Sequence, residues 1–495
     1  MQRTMRPPMD FDSTDPFTGR AGQLMPDQID FRENMGDEGT VHSGVNLSNE
    51  SPSSRRDRAK WIKGQKLLAK DHWGIRGGHG LTFLLLLLYT FFVFFRPYEL
   101  IPGAGFLSSV TYFIALATML VFIPTQFAAT GSLSVFVTEI KAVLALTLIA
   151  LLNMPIARSP GLAWETFNDS FIKAVLIFIV LTNVIASRRR LMMVIWVSLS
   201  VGFYVSYLAL DLYMKGEFNV EGYRVAVELK GLFGNSNDMA LHLATMAPIA
   251  VALGAGAKSQ IARIGYYSLT ILMMIAVTVT FSRGGFLGLF AALLVVAWKL
   301  GRRSRLKVLA GSAFVSFLFI LLAPGNYGTR LLSMVVPGLD PTGSGDARRE
   351  LLKTSILATL RNPWGVGLGN STLFGAHDQQ THNAYTQVSS ELGVLGLAAY
   401  LVFLVWPVRM LGVIEREMDS ENDHSWIYYL SVGLQGAMIA FMVSSFFGSV
   451  AYNWYAYYLV AYCVCLRRIY KESVSEMESK PSRSVRLKPE LEGAR

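Results

Sequence analysis

Long apolar runs separated by short polar breaks recur from Leu81 almost to the end of the chain, and this pattern predicts the architecture. A helix needs roughly 17 to 25 apolar residues to cross about 30 Å of hydrocarbon. Runs of this kind fall at 81–96, 105–124, 139–156, 171–187, 190–212, 237–256, 262–281, 285–300, 306–323, 386–408, 426–447 and 450–467. The pattern therefore predicts an all-α polytopic membrane protein with about twelve transmembrane helices. Residues 1–78 are polar, rich in Asp, Gly, Ser and Pro, and end in "RRDRAKWIKGQKLLAK", which reads as a disordered cytoplasmic tail with a basic juxtamembrane segment. No apolar core near Met1 marks a cleaved signal peptide, so the first span reads as an uncleaved anchor. Residues 79–470 make the transmembrane domain and 471–495 read as a second disordered cytoplasmic tail. No internal repeat is evident.

Composition agrees with this pattern. Hydrophobic residues make up 52% and charged residues only 16%, where a soluble domain carries about 25% charge. The net charge of +10 raises nucleic acid as a partner. Its placement in short segments between spans points instead to membrane lipid and topology, and no nucleic acid is expected. Cys463 and Cys465 sit two apart on a predicted helix, cannot readily pair with each other, and match no metal spacing; they read as packing residues.

Charge also sets the orientation. Arg55 to Lys70, Arg188 to Arg190, Lys258 with Arg263, "KLGRRSRLK", and Arg467 with Arg468 all fall on one side if the spans alternate. By the positive-inside rule that side is the cytoplasm, and both termini lie there. Segments 213–236, 282–284 and 324–385 then face outward. The last is long for a connector. Within it Leu351, Leu352, Ile356 and Leu360 recur at helical spacing, predicting an amphipathic helix over Ala347 to Leu360.

Cations on the outer face need a reason, and Arg224, Lys230, Arg283, Arg348 and Arg349 all occur there. Any single one of them could be a side chain snorkelling to lipid. As a group they suit a diphosphate, because guanidinium groups bind phosphate bidentately and stay charged. Arg283 is followed by two glycines that let a backbone come close. Asn235 and Asn237, in "GLFGNSNDMALHLATMAPIA", read either as plain helix caps or as part of an anion site at a helix start. His242, inside that span, reads as a packing residue.

His382 lies where the long outer segment meets a span, and an imidazole there can take a proton near neutral pH. Glu391 falls within the same apolar run, where a charge is costly unless paired. Nine residues after His382, it would be half a turn out of register on a continuous helix. It therefore reads as pairing with an outer-face Arg or anchoring its helix, with Gly393 and Gly396 allowing close helix packing. The chain has no GxxxxGK[ST], HExxH, paired His/Cys set or GxSxG. A DxD-type metal site is lacking too, although Asp340 and Asp346 could still meet in space. These absences predict chemistry without metal or cofactor, with positive side chains in place of an ion.

Four stretches, "GLFGNSNDMA", "FSRGGFLG", "RRELLKTSILATLRNPWGVGLGN" and above all "HNAYTQVSSELGVLG", resemble the O-antigen ligase and O-antigen polymerase superfamily of bacterial inner-membrane glycosyltransferases. Their order and the span plan match over roughly residues 80 to 468. The resemblance implies a GT-C-like fold with a cavity open to the periplasm, a donor glycan on undecaprenyl pyrophosphate, and an acceptor glycan or lipid. Arg283 and Arg224 would bind the pyrophosphate, with Arg348 or Arg349 as a further basic residue and Asn383 and Glu391 supporting the motif. His382 would orient or deprotonate the acceptor hydroxyl. A ligase-like transfer is favoured, with a repeat-unit polymerase as the alternative. A transporter or flippase also has about twelve spans, but would place ionisable groups near mid-membrane.

Overall fold

A computed structural model describes residues 78–100, 103–218, 220, 223–227, 233, 235–301, 306, 310, 344–374 and 381–479. Among them twelve main helices follow in order: α1 (Gly80–Phe95), α2 (Leu107–Thr130), α3 (Thr138–Asn153), α4 (Pro160–Val184), α5 (Arg188–Lys215), α6 (Ser236–Ala255), α7 (Gln260–Val279), α8 (Arg283–Leu300), α9 (Ser344–Arg361), α10 (Ala384–Ser420), α11 (Trp426–Ser444) and α12 (Trp454–Ser479). No β-sheet forms among the described residues; an isolated bridge joins Val220 and Arg224. The chain is an all-α polytopic membrane protein.

Nine helical stretches among the described residues are long and apolar enough to cross a bilayer, carried by α1, α2, α4 to α8, α10 and α11. The run at 139–156 forms α3, only 16 residues long. The run at 450–467 begins the Tyr-rich α12, which does not reach the same apolarity and continues to Ser479, past the domain end expected at 470. The run at 306–323 lies almost wholly outside the described residues, as do Lys230, Asp340, residues 1–77 and 480–495.

α6 and α11 are the most buried of the spans, and they pack on each other and on α8. α7 closes on α6, α10 on α11 and α3, and α12 on α4. α2, packed mainly on α1, leaves Tyr112, Phe113, Leu116 and Leu120 exposed. Such a surface is stable only against hydrocarbon. Small residues bring the central helices together: a side chain at Gly284 would come within 2.6 Å of Phe447, and one at Gly285 would clash with Ala240. These are the two glycines after Arg283, and their predicted close approach is seen. Cys463 and Cys465 are buried free thiols, and His242 packs against the rings of Phe94, Phe233 and Tyr455.

α10 is not one helix. Gly393 has φ 73° and ψ −172°, which breaks the helix after Leu392. The break frees main-chain groups, and residues 363–367 take them up. Val366 N donates to Ser390 O at 2.9 Å, Gly367 N to Glu391 O at 3.0 Å, and Val394 N to Pro363 O at 3.0 Å. Gly365 and Gly367 have φ of +95° and +101°, conformations that only glycine adopts readily. The close approach expected of Gly393 is therefore to the 363–367 backbone and not to another helix. Gly396 lies against Leu392, across the break in its own chain.

Candidate active site

The starts of α6 and α8 meet, and the end of α11 links them to the start of α10. α6 is capped by Asn235, whose Oδ1 accepts from Asn237 N at 2.8 Å. α8 is capped by Ser282, whose Oγ accepts from Gly285 N at 3.3 Å. α10 is capped by Asn383, whose Oδ1 accepts from Tyr385 N and Thr386 N at 2.9 and 3.0 Å. Each long helix carries partial positive charge at its start, so the adjoining starts of α6 and α8 favour an anion.

Arg224 is buried at this end, 4% exposed. Its Nε donates to Thr280 O at 3.0 Å and its Nη2 to Asn237 Oδ1 at 2.8 Å. Ser282 Oγ donates to the same Asn237 oxygen at 2.9 Å. Asn235 caps α6, and Asn237 is a bracket between the loop cation Arg224 and the start of α8. Arg283, the first residue of α8, is also buried, at 8%. A charge removed from water is costly unless compensated. Between Thr280 and Ser282, Phe281 has φ 51°, a left-handed conformation unusual for an aromatic residue.

The segment Met442–Ser449, at the end of α11, connects this cluster to His382. Ser444 Oγ donates to Gly284 O at 3.0 Å, beside Arg283. Tyr385 OH, on the first turn of α10, donates to Met442 O at 2.8 Å. Ser449 Oγ accepts from His382 N at 2.8 Å and lies 3.2 Å from Thr381 Oγ1. His382 itself has φ 50° and stands before the helix, half-buried. Its pKa is lowered, first by burial and then by the positive charge of Arg348. The neutral ring, which can accept a proton, is thereby favoured.

The doubled arginine separates into two environments. Arg348 is half-buried and acts on His382, whereas Arg349 is exposed. Both lie on α9, so the stretch Ala347 to Leu360 is helical, but the apolar face expected of it is only partly packed. Of the apolar residues used to find it, Leu351 is buried while Leu352, Ile356 and Leu360 are exposed. Its packed side also uses Ser355 and Ala358.

Glu391 does not join His382 or an arginine through any contact seen here. It is 1% exposed, and its Oε1 accepts from Ser371 Oγ at 2.5 Å. Tyr452 lies near it, its hydroxyl pKa raised well above the ordinary value by burial first and then by the Glu391 charge. Glu391 thus takes the anchoring role, fixing the segment after α9 to the first part of α10. Asn370, fully buried, extends that anchor by accepting from Ser159 N at 2.7 Å.

Sequence reasoning missed Ser282, Ser444 and Ser449. Ser282 was accessible, since a serine directly before an apolar helical run is a favoured cap. Ser444 and Ser449 lie around the end of a span with no periodic signal. Arg96, which ends α1 and pairs with Glu99 at 2.6 Å, was also passed over. Among the described residues no group of three or more His, Cys, Asp or Glu side chains could hold a metal ion.

Residues 268–401 match the family model Wzy_C, described as O-antigen ligase. This stretch is similar to the O-antigen ligase family. It runs from within α7 to within α10 and includes Arg283, Arg348, Arg349, His382, Asn383 and Glu391, whereas Arg224, Asn235 and Asn237 precede it. The matched family performs ligase- or polymerase-type glycan transfer on lipid-linked substrates in polysaccharide biosynthesis. No curated protein matches the chain.

Proposed function

We propose that the chain transfers a glycan from undecaprenyl pyrophosphate to an acceptor hydroxyl, in a ligase-like reaction of cell-surface polysaccharide biosynthesis. The bracket of Arg224 and Ser282 on Asn237 supports this reading, because it fixes a buried cation at two helix starts that the end of α11 links to His382. In this reading Arg224 and Arg283 hold the pyrophosphate, and Arg348 is the further basic residue in preference to Arg349. The acceptor is a glycan or a lipid. The fold is GT-C-like and the membrane is the bacterial inner membrane, with both termini cytoplasmic and the reaction at the periplasmic face.

The chemistry needs little else. Pyrophosphate is a good leaving group, and fixed cations stabilise the charge that grows on it without a metal. His382, favoured in its neutral form, accepts the acceptor's proton as its oxygen attacks the anomeric carbon. The C–O bond to the diphosphate breaks as the new glycosidic bond forms, so direct attack inverts that carbon; retention in the product would remove this step.

Transfer from purified lipid-linked donor to defined acceptors tests the reading. Arg283→Ala and His382→Ala are expected to abolish product, and full transfer by both would overturn it. A strain lacking the chain separates the two family reactions. Accumulated lipid-linked polymer indicates a lost ligase, and single repeat units on the surface a lost polymerase.

A further inference from the structure

α5 is 28 residues long, about 40 Å at 1.5 Å per residue, and its start at Arg188 borders a cavity. This cavity, of about 300 Å³, is lined by His79, Gln126, Thr130, Ser187, Arg190 and Arg468 among others. It gathers the start of α1, the end of α2, the α4–α5 junction and α12. None of these residues belongs to the stretch that matches the O-antigen ligase family or to the site above.

Two guanidinium groups line one small space. Arg190 donates from Nη1 to Val184 O at 2.9 Å and from Nη2 to Gly78 O at 3.2 Å, and its guanidinium lies 5.3 Å from the centre of the Phe83 ring. Those bonds use two of its five N–H groups, and its partners among the described residues are carbonyls and a ring, not a carboxylate. Arg468 is 3% exposed; it donates to Asn183 O at 3.1 Å and pairs with Glu472 at 3.3 Å. Ser187 caps α5, whose start adds partial positive charge. His79, in a left-handed turn, has its pKa lowered first by burial and further by Arg190 and Arg468, although Gln126 opposes the shift. Two guanidinium groups and a helix start lining one space favour an anion.

Its height in the bundle selects the kind of anion. The cavity sits where apolar spans begin and end, and Leu81, Phe127 and Leu133 nearby are exposed as a lipid-facing surface would be. Basic pockets between helices at that level hold phosphate headgroups. A planar guanidinium fork with hydroxyl donors matches phosphate oxygens. We propose that this cavity binds the phosphate of an anionic phospholipid, with Arg190 as the principal ligand and Arg468, Ser187 and His79 completing the site. The proposal is independent of the glycan-transfer reading.

Native mass spectrometry of the full chain in detergent, titrated with phosphatidylglycerol or phosphatidylcholine, tests it. Wild type should retain phosphatidylglycerol preferentially, and Arg190→Gln should weaken that retention about tenfold or more, as expected for hydrogen bonds to a charged group. Arg190→Lys keeps the charge and the apolar stem, guards against misfolding of the glutamine variant, and should weaken retention by less. Equal retention of phosphatidylglycerol by wild type and both variants would overturn the proposal. Stabilisation by inorganic phosphate that Arg190→Gln abolishes, without preference for phosphatidylglycerol, would overturn the lipid assignment and leave a site for soluble phosphate.

Discussion

Asn237 Oδ1 receives the Arg224 guanidinium at 2.8 Å and the Ser282 hydroxyl at 2.9 Å, so one amide oxygen ties a loop cation to the start of the helix that opens with Arg283. Asn237→Ala removes both bonds. A hydrogen bond to a charged group contributes about 1.5–3 kcal/mol. In the proposed reaction kcat/KM for the lipid-linked donor should therefore fall roughly 10- to 100-fold, with the acceptor KM little changed. An unchanged donor dependence in steady-state assays would show that the bracket does not position the cation for the donor.

His382 gives a prediction in pH. Its folded pKa lies below the free imidazole value of about 6.5, first through burial and then through Arg348. The folded chain binds fewer protons than the unfolded one between the two values, so stability from this residue is complete above the unfolded pKa. It is lost as pH falls through the lowered folded value. The acid limb of kcat/KM should follow the same ring. Arg348→Gln should move that limb to higher pH, towards but not up to the free value because burial remains. Arg349→Gln should leave it in place. Identical profiles for the two variants would remove the distinction drawn between them.

The break in α10 predicts a contrast between two glycines. Gly393→Ala places a Cβ against the Pro363 carbonyl at φ 73°, and it should cost roughly 2–4 kcal/mol through strain and displacement of residues 363–367. Gly265 in α7 has nothing within 4 Å of its would-be Cβ. Gly265→Ala should leave stability unchanged or raise it by up to about 1 kcal/mol. Thermal unfolding in detergent compares them directly.

Glu139 and Arg467 form a buried bidentate pair at 2.7 and 2.8 Å between α3 and α12. Glu139→Leu alone leaves a buried cation and should destabilise by about 3–5 kcal/mol. Adding Arg467→Met should recover much of that loss. A double variant as unstable as the single one would show that the pair does more than compensate itself.

Much of this organisation was legible in the sequence, for reasons that can be assigned. Spans such as Ser236–Ala255 and Trp426–Phe447 were found because hydrocarbon selects continuous apolar length. α9 was found from its leucine spacing, although only part of its apolar surface is packed. The bracket at Asn237 was not legible. A capping asparagine and a bridging one look alike until Arg224 is placed beside it. The break at Gly393 was hidden for a similar reason: the run through it stays apolar, and what stabilises the interruption is main-chain bonding from the distant Pro363–Gly367. Glu391 was rightly singled out as costly, but the serine that holds it, Ser371, carried no pattern of its own.

Because Ser390, Glu391 and Val394 are joined to residues 363–367 through peptide groups alone, that attachment is indifferent to the identity of side chains pointing away from it. Trp364, exposed within that stretch, can therefore be exchanged while the three glycines keep the scaffold rigid. The contact with α10 lies about two helical turns from Asn383. Descendants of such a chain thus have room to vary this surface without disturbing the frame beneath it, and Trp364 is where a directed library should begin.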